Sequence, residues 1–173
     1  MANNKPEVWL RGPLNNIPAL LEPVAHALMQ AREELNEVMN GFPDSLLWQK
    51  VAGMASPGFH LQHMAGVLNR LFTYANDEML SDYQLGYLAA EGKALENTQT
   101  TELVQRFNLQ VDSCIQQLSE IDEMILKQKR GVGRSKLPST VLGLYVHSAE
   151  HTMRHLGQLL VTVNVLKSKI EVS

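Results

Sequence analysis

Four long stretches in which apolar residues return every three or four positions constrain this 173-residue chain more than any other feature. The first runs over about 16–40, with Ile17, Leu20, Leu21, Val24, Leu28, Ala31, Leu35 and Val38 on one face, and Gly41, Phe42 and Pro43 stop it. The second, 58–76, carries Leu61, Met64, Leu68, Leu71, Phe72 and Ala75. The third, 100–128, has a seam of Leu103, Phe107, Val111, Cys114, Leu118, Ile121 and Ile125, the alternating step of a bundle helix. The fourth starts near Pro138, a residue suited to a first helical turn, and runs to about Lys167. Two connections are long: 41–57, with a short helical turn around Trp48, and 77–99, with a short helix over 81–88. No segment alternates as a strand, and 127–138 reads as a loop. The expectation is an all-α single domain over 1–173, a four-helix bundle with two long connections.

Composition narrows the function. With 45% hydrophobic and 19% charged residues the chain has ordinary globular composition. A net charge of −3 gives no basic surplus for nucleic acid or an anionic membrane. Residues 1–13 hold no apolar signal core, and no run of about 18 apolar residues exists to span a bilayer, so a cytoplasmic location is expected. Cys114 is the single cysteine, so there is no internal disulfide, and its seam position predicts inert packing. The basic stretch Lys127, Lys129, Arg130, Arg134 and Lys136 reads first as a solvated connection and second as an anion-binding loop.

The histidines carry the chemistry. His147, His151 and His155 are spaced i, i+4, i+8, which lines them along one helix face. That helix's seam is Val141, Leu144, Ser148, His151, His155, Leu159, Thr162 and Leu166, so two imidazoles stand where the other helices place aliphatic residues. A divalent cation taking both as neutral ligands would explain burying them together. The second helix offers His60 and His63. By amphipathicity His60 lies nearer the core, whereas His63 heads a mixed row with Val67, Arg70 and Tyr74. His26 lies opposite its helix's apolar stripe and is expected to be exposed.

These stretches, Gly58 to Gly66, Asn69 to Ala75, and Ala149 to Gln158 with its His155, Leu156, Gly157, Gln158 ending, resemble the DinB-like (DinB/YfiT) superfamily over roughly 15–167. The resemblance implies a four-helix bundle in up-down-down-up order, commonly dimeric, with a divalent ion on three histidines. One ligand would come from the second helix and two from the fourth, here His63, His151 and His155. His60 and His147 then become supporting or substrate-facing residues.

Imidazole ligation suits a transition ion such as Zn, Ni, Fe or Mn rather than Ca or Mg. Three neutral ligands leave its charge uncompensated and a position open to water or a thiol. Gln158 is placed to hydrogen-bond a ligand ring, Gly157 is expected to let helices approach, and no carboxylate on the ligand face presents itself as a general base. Two functions follow. One is a metal-dependent enzyme on a small-molecule substrate: a hydrolase, or, as the resemblance adds, a transferase using a low-molecular-weight thiol, its anionic group held by the basic loop. The other is a non-catalytic metal-binding or stress-response homodimer in which the ion only ties helices together.

Overall fold

The computed structural model describes residues 5–94 and 97–171; residues 95–96, inside the second long connection, lie outside the description. Among the described residues there are five α-helices, α1 (Glu22–Met39), α2 (Pro57–Ala75), α3 (Asp82–Ala90), α4 (Thr100–Ser119) and α5 (Val141–Glu171), and one antiparallel hairpin, β1 (Lys129–Val132) with β2 (Leu137–Thr140). Both α1 and α2 pack against α4 and α5, so four long helices enclose one core. No helix is long and apolar enough to cross a membrane.

The periodic seams are largely the buried ones, with Leu20, ahead of the first helix, the clear exception at 61% exposed. Leu103, Phe107, Val111, Cys114 and Leu118 of α4 face the core, as do Leu61, Met64, Leu68 and Phe72 of α2. Burial pushes the Cys114 thiol up to about 12, which leaves it the unreactive packing group its position predicts. The short helix of the second connection is α3, started by a capping box in which Ser81 and Gln84 satisfy each other's backbone N–H groups.

Three boundaries differ from expectation, each for a local reason. The first helix begins at Glu22 rather than near residue 16, because Asn16 takes a positive φ of 66°, a turn in which the Pro18 carbonyl accepts from the Leu21 N–H precedes it, and Pro23 suits its first turn. The third ends at Ser119 rather than near residue 128. Asp122 there accepts from the Met124 N–H at 2.9 Å and starts a separate 3-10 turn, so short polar side chains compete with continuation. The stretch 127–138 is not a plain loop. It pairs Lys129 with Thr140 and Val132 with Leu137, and the left-handed Gly133 helps turn the chain. Pro138 lies in β2, harmless in a two-stranded sheet that consists of edges. The last helix therefore starts at Val141, where the Thr140 hydroxyl accepts from the Gly143 N–H at 3.0 Å, and it continues past Lys167 to Glu171.

His26 is also corrected: it is only 9% exposed, and its Nε2 is buried without a partner. The 3-10 turn Val8–Arg11 folds back over the outer face of α1, with the Val8 N–H donating to Gln30 Oε1 at 2.8 Å. A face polar by periodicity is thus covered by a segment distant in sequence.

Candidate metal centre

Two helices bring the histidines together. The start of α2 is fixed by Ser56, whose hydroxyl accepts from the Phe59 N–H, and by Pro57 at its first position. Trp48 lies flat on Gly58: a Cβ there would stand 2.5 Å from the indole, so only glycine lets the first connection press this close. His60 and His63 follow within one turn. From α5, His151 and His155 project across, their ring centroids 4.6 Å apart.

His63, His151 and His155 each offer a ring nitrogen within 4.8 Å of the others', and no fourth His, Cys, Asp or Glu joins this group among the described residues. His63 Nε2 and His151 Nε2 are 2.9 Å apart. The Nδ1 of His63 lies 2.7 Å from Glu91 Oε2; the carboxylate accepts that proton and leaves the Nε2 lone pair facing the other rings. His60 Nδ1 and His155 Nδ1 are 3.1 Å apart and share a hydrogen bond, which turns the Nε2 of His155 free of His60. His151 Nδ1 is buried with no partner. Phe59 stacks on His63 at 5.2 Å between centroids, nearly parallel.

Electrostatics favour the neutral rings. Burial, reinforced by His63, pushes His60 down to about 4. Burial and the neighbouring His63 and His151 do the same to His155, and His151 is lowered by burial and by His63. All three therefore keep their lone pairs at neutral pH.

The donor set fits a divalent transition ion. Nitrogens each about 2.0–2.1 Å from a tetrahedral ion stand roughly 3.3 Å from one another, a spacing the rings reach by small rotations. A carboxylate holding the far nitrogen of one ligand is the usual outer support of such a site.

The two readings of the second helix meet two different facts. His60 is the deeply buried one, as amphipathicity predicts, while His63, only partly buried, is the residue within reach of both α5 histidines. His147 is exposed at the rim, its Nδ1 3.5 Å from Glu150. Gln158 is exposed and its amide makes no hydrogen bond to the rings. Gly157 does not serve helix packing, because nothing lies within 4 Å of where its Cβ would be.

Sequence reasoning missed Glu91. It arrives from the end of α3, only 5% exposed in its side chain, and its second oxygen accepts from Arg70 Nη1 at 2.7 Å. The signal was Arg70 itself: a guanidinium in the His63 row that is buried needs a carboxylate, and the α2–α3 connection had to supply it. The basic hairpin, by contrast, stays far from the rings. Arg130 Nε donates to the Ala75 carbonyl at 2.7 Å, twelve residues and about 18 Å along α2 from His63.

A family model described as the DinB superfamily matches residues 27–159. A crystal structure of a Streptococcus pneumoniae protein, from a structural genomics consortium, superposes with a TM-score of 0.61 at 14% identity, covering 91% of this chain and 93% of that one. That likeness concerns the fold. No curated protein matches.

Proposed function

The chain belongs to the DinB superfamily, and on that premise we propose that it is a metal-dependent enzyme acting on a small molecule, with the ion held by His63, His151 and His155. The observation that carries this reading is a triad of histidines that no fourth His, Cys, Asp or Glu joins among the described residues. An ion with a purely structural role is ordinarily closed by four protein ligands, whereas a catalytic one keeps a position for substrate.

A divalent ion bound there would supply Lewis acidity, drawing water or a thiol towards its conjugate base near neutral pH. The protein's own residues do the rest. Glu91 holds His63 with its Nε2 lone pair turned inward, Arg70 holds Glu91 in place, and His60 orients His155. Phe59 shields one face of the His63 ring from water. Hydrolysis and thiol-dependent S-transfer are the two reaction classes such a centre suits. The position of the hairpin weighs against the basic stretch anchoring a thiol cofactor at this centre. The reading includes a cytoplasmic homodimer, which light scattering checks.

The test is metal analysis of the purified protein, followed by ester, amide and thiol-transfer assays with and without chelator. About one transition ion per chain and a chelator-sensitive turnover are expected. A loaded centre inert to every exchangeable ligand, water included, would mark the ion as structural.

A further inference from the structure

A separate cavity of about 140 Å³ opens between α2, α3 and α4, and none of the histidines lines it. Its inner end is Arg70, 7% exposed. One guanidinium nitrogen of Arg70 donates to Glu91, and the others have no partner among the described residues. The guanidinium lines the cavity, where its remaining N–H groups can meet an acceptor.

At the mouth stands Arg106, its Cζ 5.2 Å over the Tyr87 ring and its Nη1 donating to the Tyr83 hydroxyl at 3.4 Å. It forms no ion pair among the described residues. One wall is a fixed amide shelf: Gln84 Nε2 donates to Asn69 Oδ1 at 2.6 Å, and Asn69 Nδ2 to Gln110 Oε1 at 3.2 Å. The Tyr87 ring also lines the cavity. Gly66 lines it too, where a Cβ would sit 2.5 Å from Glu91 Oε1, 2.6 Å from Arg70 Nη1 and 2.8 Å from Tyr87. Glycine there keeps open the space into which Arg70 reaches.

Two guanidiniums line the cavity and no carboxylate does, the one ion pair being Arg70 with Glu91 just outside the lining, so the cavity carries net positive charge. Its size is that of a cavity of about 150 Å³ known to hold benzene. We propose that this cavity is a binding site for a small organic carboxylate with a flat apolar body, its carboxylate held by Arg70 and Arg106 and its body lying along Tyr87. The proposal is independent of whether the histidines hold an ion.

The test titrates benzoate, with benzamide as the uncharged control, into the metal-free full-length chain by ligand-observed NMR. Saturation by benzoate below about 10 mM is expected, with benzamide at least about tenfold weaker. Arg106→Leu, an exposed substitution, should weaken benzoate by about tenfold or more. The double variant Arg70→Gln, Glu91→Gln removes both charges of the buried pair together, leaves neither stranded, and should likewise weaken benzoate. Absent saturation, equal binding of benzoate and benzamide, or unchanged benzoate binding in either variant would overturn the site. Because chelated protein is used, loss of metal binding in a histidine variant speaks only to the metal centre.

Discussion

Glu91 Oε2 stands 2.7 Å from His63 Nδ1 while its other oxygen accepts from Arg70, so one carboxylate clasps two residues of α2 that lie two turns apart. An acceptor is required at both contacts. A glutamine can offer its carbonyl to one and must turn an NH₂ towards the other. Glu91→Gln is therefore expected to lower metal affinity by about 10- to 100-fold while the chain stays folded. Competition against a chromophoric chelator measures it, and wild-type affinity would contradict the role.

The histidine set should separate by metal content. His63→Ala, His151→Ala and His155→Ala should each purify without stoichiometric metal. His60→Ala should keep the ion with affinity lowered by no more than about tenfold, because His60 touches His155 rather than the shared centre. His26→Ala should keep full occupancy. Metal lost from His60→Ala and retained by His63→Ala would transfer the ligand role to His60.

Gly66 is where the clasp crosses α2. An added Cβ would lie 2.5 Å from Glu91 Oε1 and 2.6 Å from Arg70 Nη1. Gly66→Ala should cost about 1–3 kcal/mol through overpacking, a fall of roughly 3–9 °C in Tm. It should also weaken metal binding, whereas Gly157→Ala, with open space around it, should do neither.

Acid should destabilise the chelated protein in a defined window. His60 and His155 are held down to about 4, against 6.5 in an unfolded chain. Between those values the unfolded chain binds more protons, so stability falls as pH drops through 6.5 and levels off below about 4. Melting followed by calorimetry at pH 7, 6 and 5 should show Tm declining, and His60→Gln should flatten the decline. A Tm independent of pH over that range would contradict the neutral burial of these rings.

Much of this was legible because helices announce themselves by period. The α4 seam could be read residue by residue, and the two α5 histidines stood visibly among Leu and Val. What escaped depended on contacts between distant segments. Nothing local to His26 foretells that Val8–Arg11 will cover it, and Glu91 sits in a helix terminus whose side chains carry no periodic signal. The hairpin was hidden by its own brevity: four residues per strand, basic side chains and a proline give no alternation to detect. His60 against His63 could not be settled by azimuth, because burial and access to α5 favour different residues.

The unbroken 31-residue α5 carries His151 and His155 one turn apart, whereas His63 must be delivered by a different helix and steadied by a third. Two thirds of the proposed coordination set would thus exist as soon as a local coil winds up, and the remainder would arrive only when remote parts of the chain dock. A weak two-imidazole site on the nascent helix would become a tight one at the moment of assembly, so ion uptake would serve as a clock for the last stage of folding.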